Sequence, residues 1–224
     1  FCGEAVAALS MAERMTLCNM SAELGAQVGL VAPDAVTRDW LAQHGAPGVD
    51  VEPWHSDAGA SGTRHHFDAA TLAPQVALPH SPAQVCGVDA LAPTRIDIAY
   101  IGACTGAKLD DLRAAASVLA GRRIAGHVKL LVAPASVRDG DDAEREGVMR
   151  QLVDAGAVLL PSACGACAGY GSRIPEGSTV ISSTARNFKG RMGAATAQVY
   201  LGSPWTVAAS ALRGVISDPR EVLA

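Results

Sequence analysis

Aromatic side chains are scarce in this chain, with three Trp, three Tyr and three Phe among 224 residues. A core with so few large rings has to be built from Ala, Gly and Val, as in α/β proteins where small residues let helices lie close to a sheet. An excess of basic charge is also missing. The formal net charge is −4 with the signs intermixed, so no basic stripe of the kind that holds nucleic acid is present. Long apolar runs are lacking too, because Pro and Gly interrupt every stretch before the roughly eighteen residues a membrane helix needs. No signal-peptide or lipidation pattern is visible, and a cytoplasmic location is the expectation. The six cysteines, at 2, 18, 86, 104, 164 and 167, are too sparse for a disulfide scaffold and read as reduced thiols, ligands or core residues. The chain opens at Phe1 inside what reads as structured sequence, so a piece of something longer is expected.

What is present is a periodic α/β pattern. Ser10 and Glu13 have capping-box spacing, which predicts a helix from there to about Leu24, stopped at Gly25. Asp34 can cap a second helix ending at Gly45. Residues 46–62 are Gly, Pro, Asp and Ser with little period and read mostly as loop. Ala73 to Ala77 reads as a short strand, followed by a rigid turn at Pro79-His80-Ser81-Pro82. Beyond Arg95 the order is strand (Ile96–Gly102), helix (Lys108–Leu119), strand (His127–Val132), helix (Asp141–Ala155) and strand (Val158–Leu160). A further strand is expected at Thr179–Ser182 and a last helix at Pro204–Leu212. Such alternation predicts a layered α/β/α fold with a mostly parallel sheet and right-handed crossovers. Two domains are expected, residues 1–68 as a small α/β lobe and residues 69–224 as the main α/β domain.

Cys104 falls just past the first of those strands, and Cys164 with Cys167 just past the third. Ligands of open parallel sheets bind outside the carboxyl ends of strands, so the three thiols are expected on one edge. Three chemistries suit them. A structural zinc site needs a fourth ligand, for which His127 is a candidate. A thioredoxin-like redox pair uses the C-x-x-C alone and leaves Cys104 over. An iron–sulfur cluster on three thiolates leaves one iron open as a Lewis acid. Spacing alone leaves all three open. Arg186 and Arg191, in a polar Gly-containing loop, could bind carboxylate or phosphate bidentately, although most arginines are simply solvated. Asn19 and Glu23 form an i,i+4 pair on one helix face, which is also what an ordinary solvated face shows.

Several ordered motifs together resemble one family. Residues Thr16-Leu17-Cys18-Asn19-Met20-Ser21-Ala22-Glu23-Leu24-Gly25-Ala26 are similar to the T-I-C-N-M-x-x-E-x-G-A segment of the aconitase superfamily. Ile101-Gly102-Ala103-Cys104-Thr105 resembles its I-G-S-C-T-N turn, Cys164-Gly165-Ala166-Cys167-Ala168-Gly169 its C-G-x-C-x-G, and Arg186-Asn187-Phe188-Lys189-Gly190-Arg191-Met192-Gly193 its R-N-F-x-G-R-M-G. The tail, Tyr200 to Pro204 with Asp218-Pro219-Arg220-Glu221, follows suit. The nearest branch is the large subunit of 3-isopropylmalate dehydratase, with homoaconitase and other malate-type hydro-lyases beside it.

The resemblance implies aconitase-like lobes and a [4Fe–4S] cluster on Cys104, Cys164 and Cys167 with its fourth iron open. It makes Arg186 and Arg191 the groups that bind substrate carboxylates, and Asn19 and Glu23 hydrogen-bonding residues that orient iron-bound water. It implies a hydro-lyase that shifts a hydroxyl between adjacent carbons of a hydroxy di- or tricarboxylic acid. The partners implied are an amino-terminal portion carrying an Asp/His part of the site and a small subunit whose swivelling domain bears a serine base. Without both, this chain is expected to hold a cluster and not turn over. Three positions depart from the family pattern: Ala103 for Ser, Gly106 for Asn and Ala185 for Asn. A non-catalytic RNA-binding module is the contrasting reading, which the acidic balance disfavours.

Overall fold

Local capping signals begin the fold. In the computed structural model, which describes residues 1–171 and 173–223, the chain divides into two units, Phe1–Leu72 and Ala73–Ala224. The first unit is short helices joined by irregular chain: α1 (Glu4–Ala7), α2 (Met11–Met20) and α3 (Ala35–Gln43). The Ser10 hydroxyl accepts from the Glu13 amide while the Glu13 carboxylate accepts from the Ser10 amide, so α2 starts in the expected reciprocal cap. The helix tightens into a 3-10 turn at Ser21–Leu24 and ends at Gly25, whose φ of 79° is the left-handed stop. Asp34 caps α3 by accepting from the Thr37 amide.

One buried cation ties these helices together. The Arg14 guanidinium donates to both carboxylate oxygens of Asp34 at 2.7 and 2.8 Å, and to the carbonyls of Leu9 and Ala7. Its side chain is 3% exposed. A cation so far out of water is tolerable only with its donors filled, and Asp34 therefore serves α3 and Arg14 together. The carboxyl is held down at about 2, first by its hydrogen bonds from Arg14.

The second unit is a seven-stranded sheet. Its elements in chain order are β1 (Gln75–Ala77), β2 (Val85–Gly87), β3 (Ile98–Ile101), α4 (Ala103–Gly106), α5 (Leu109–Leu119), β4 (Lys129–Val132), α6 (Val137–Arg145), α7 (Val148–Ala155), β5 (Val158–Leu159), β6 (Thr179–Ser182), β7 (Gln198–Leu201), α8 (Pro204–Arg213) and α9 (Arg220–Leu223). The strand order is β2-β1-β7-β6-β3-β4-β5. From β7 to β5 every neighbour is parallel, and β1 runs antiparallel to both β7 and β2. A mostly parallel α/β sheet is thus what forms.

The two faces of the sheet are filled differently. Ala99, Ile101, Leu130, Val132 and Ile181 point to one side, where α5, α7 and α8 bury them. Ala115, Ala116, Ala208, Ala209 and Ala211 are between 0% and 2% exposed there. That is the close packing of helix on sheet that a ring-poor composition requires. Ile98, Tyr100, Leu131, Val180 and Val199 point to the other side, against Ala166, Cys167, Ile174 and Met192 from the connections around β6. Successive strand residues therefore alternate between a helical cover and the loops that carry the thiols.

Three local expectations are corrected. The helix expected at 141–155 begins earlier, capped by Ser136, and breaks at Gly147 (φ 75°), leaving α6 and α7. A left-handed residue cannot continue a helix. The turn around Cys104 is one helical turn, α4. Strands β2 and β7 are additional, short strands with no strong sequence period.

Candidate functional site

The chain leaves β3 for β4 and β5 on one side, then returns so that β6 lies on the opposite side of β3. Such a reversal leaves a crevice between the carboxyl ends of the two strands that flank it, here β3 and β6. Cys104 follows β3, and the arginine loop follows β6. Cys164 and Cys167 lie on the long connection that leads from β5 back to β6.

The Cys104 turn is formed by close approaches. Gly102 leaves the sheet where a Cβ would sit 2.2 Å from the Tyr100 ring. Ala103 takes φ 67°, the left-handed region a side chain seldom adopts, and the single turn of α4 follows. Ser183, just past β6, pins that turn. Its hydroxyl accepts from the Gly102 amide at 3.1 Å and donates to the Gly106 carbonyl at 2.9 Å, while Thr105 donates to the Ser183 carbonyl at 3.3 Å. A Cβ on residue 106 would lie 2.3 Å from the Ser183 carbonyl oxygen. A side chain at residue 106 would therefore force this contact to open.

The C-x-x-C segment is a 3-10 turn over Gly165–Ala168, with Cys164 at its amino end and Gly169 (φ 73°) closing it. At Gly169 a Cβ would sit 2.8 Å from the Arg191 carbonyl oxygen, so the thiol turn and the arginine loop pack backbone to backbone. Asn187 anchors that loop, its amide donating to the Leu78 carbonyl at 2.7 Å and to the Val199 carbonyl at 2.8 Å. Gly193 (φ 146°) meets the Ile174 backbone, where a Cβ would come within 2.5 Å.

The candidate thiols sit on these two turns. Cys104 and Cys164 are exposed and Cys167 is buried. Burial pushes the Cys167 thiol up from its ordinary value; neighbouring Arg191 opposes the shift by charge and hydrogen bond, and Cys164 and Cys104 add to it. Cys104, Cys164 and Arg191 thus lie near enough to Cys167 to act on its charge. Arg186 lies partly buried in the same loop. In the first unit, exposed Asn19 is on α2 and partly buried Glu23 in the 3-10 turn after it.

Cysteine thiolates are the donor type that iron–sulfur clusters take, so Cys104, Cys164 and Cys167 are chemically suited to one. Among the described residues, no three His, Cys, Asp or Glu side chains are placed to share a single ion. His127 does not complete a zinc site. It precedes β4, at the amino end of the parallel strands, with its ring against Gly214 at 3.3 Å from that carbonyl.

A family profile described as "Aconitase family (aconitate hydratase)" matches residues 1–95 and 90–214. The chain belongs to the aconitase family. Among its curated relatives, the 3-isopropylmalate dehydratase large subunit 1 of Archaeoglobus fulgidus is 39% identical over 223 residues, covering 99% of this chain and 53% of that protein. A protein of Methanosarcina mazei named "Probable methanogen homoaconitase large subunit" is 42% identical, covering 99% and 56%. The 3-isopropylmalate dehydratase large subunit of Mycolicibacterium smegmatis is 40% identical, covering 99% and 53%. The chain spans about half the length of the curated relatives it matches. Within this aconitase-family chain, sequence reasoning missed Ser183 and Tyr100. Ser183 carries no spacing signal, because its partners are 77 to 81 residues away. Tyr100 did carry one, as the only polar-tipped side chain of β3.

Proposed function

We propose that the chain is the cluster-bearing portion of an iron–sulfur hydro-lyase, most like 3-isopropylmalate dehydratase. Such an enzyme removes water from a hydroxy di- or tricarboxylic acid and returns it with the hydroxyl on the adjacent carbon. What supports the reading is the family match over most of the chain, with Cys104, Cys164 and Arg191 near enough to Cys167 to act on its charge. In this reading the three cysteines hold a [4Fe–4S] cluster, which supplies Lewis-acid polarisation of a substrate oxygen at its open iron. Arg186 and Arg191 clamp substrate carboxylates, fixing which carbon faces the reacting edge. Asn19 and Glu23 orient water by hydrogen bonding. The proton is removed by a serine base on a small subunit, and an amino-terminal portion of the large subunit completes the pocket. This segment by itself then holds the cluster without turning substrate over.

A homoaconitase reading is favoured by the similarity to the Methanosarcina mazei protein, and a panel of hydroxy acids separates the two in the reassembled enzyme. The test of the proposal itself is metal content. Protein purified without oxygen should show broad brown absorption and about four irons per chain. One tightly bound zinc, or protein without metal after anaerobic reconstitution with iron and sulfide, would overturn it.

A further inference from the structure

Tyr100 is a side chain that the proposed reaction does not use and simple packing does not explain. It lies on β3 at 0% exposure, within the second core beside Cys167, and its buried hydroxyl has no hydrogen-bond partner among the described residues. The ring sits beneath the turn that leads to Cys104, with the hydroxyl 2.4 Å from where a Cβ on Gly102 would be. The Cys167 backbone approaches the hydroxyl, though without hydrogen-bond geometry. A phenol is protonated at neutral pH and so is a donor. Phe would fill the same volume without placing a polar atom in an apolar core, which is a cost when no acceptor is present. The chemistry that fits an unused O–H among thiols is a sulfur acceptor, and a metal-bound thiolate is a far better one than a neutral thiol.

Resting on the cluster reading above, we propose that Tyr100 donates a hydrogen bond to the thiolate sulfur of Cys167 or Cys164 when the cluster is bound, and so sets its reduction potential. The bond withdraws negative charge from sulfur and favours the more negative, reduced cluster, so it raises the potential. No electron or proton need be transferred by the tyrosine. It is a positioning and tuning group.

The experiment uses the full-length protein with its cluster and compares wild type, Tyr100→Phe and a protein carrying 3-fluorotyrosine at residue 100. The readouts are iron content and the midpoint potential of the reducible cluster, followed by electron paramagnetic resonance. Tyr100→Phe is expected to hold four irons with a more negative midpoint, and the stronger fluorinated donor to shift it positive. Equal midpoints in wild type and Tyr100→Phe at full iron content overturn the inference while leaving the cluster in place. Should Tyr100→Phe lose iron, the nearly isosteric fluorinated protein decides, and an unchanged midpoint there overturns the proposal. Wild type without iron removes the cluster reading and this inference with it.

Discussion

Replacing Ser183 by Ala tests whether the crevice is held by one hydroxyl. In the structure that oxygen closes two contacts to the Cys104 turn, from the Gly102 amide at 3.1 Å and to the Gly106 carbonyl at 2.9 Å. Gly102, Gly106 and Ser183 are all buried, so water cannot substitute for the missing partner. A hydrogen bond contributes about 0.5–1.5 kcal/mol net, and a buried group left unpaired costs about 1–3 kcal/mol. Two contacts with an orphaned Gly102 amide give about 2–4 kcal/mol lost from the local stability of residues 102–106. At about 1.4 kcal/mol per factor of ten, the amides of the turn should exchange with solvent roughly thirty- to several-hundredfold faster. Native-state hydrogen exchange at Gly102, Cys104 and Thr105 measures this directly, with amides of α8 as the internal reference. Exchange within about threefold of wild type would refute the idea that Ser183 holds the turn.

One further outcome follows from the contacts above and another from the proposed function. Asp34 has its folded carboxyl lowered to about 2 by Arg14, so its contribution is complete above the ordinary carboxylate value and is lost as pH falls through about 2. The full shift corresponds to roughly 2.5 kcal/mol, which a side chain 40% exposed reduces by screening to about 1 kcal/mol. Asp34→Asn should weaken the first unit by about that amount at neutral pH and flatten its acid dependence between about pH 4 and 2; identical acid titrations of helical circular dichroism in the two proteins would count against it. In the reassembled enzyme, Arg186→Ala and Arg191→Ala should each raise KM tenfold or more, roughly 1.4 kcal/mol per lost carboxylate contact, with iron content unchanged. Unaltered kinetics in both variants would show that neither guanidinium binds substrate.

Much of both units was legible in the sequence, for an identifiable reason. The Ser10 and Asp34 caps, the Gly25 stop and the buried runs of β3, β4 and β6 are decided by residues within a few positions of one another, and each formed where expected. Where two local signals competed, the outcome was less legible. The amphipathic period of 141–155 reads through Gly147, yet the backbone turns left-handed there and the helix divides. Strands β2 and β7 were missed because three or four residues carry too little period, and they exist only through the neighbours they pair with.

The motifs by themselves determined the family and put three thiols on the segments that follow β3 and β5. Only the tertiary structure decided that β6 inserts beside β3 and opens the crevice between their ends. It also decided that Ser183 reaches back 77 to 81 residues to pin the Cys104 turn, and that the Tyr100 hydroxyl is buried with no hydrogen-bond partner among the described residues. Caps and periods are set by neighbours along the chain, whereas strand order and buried polar partners depend on which distant segments exclude water together.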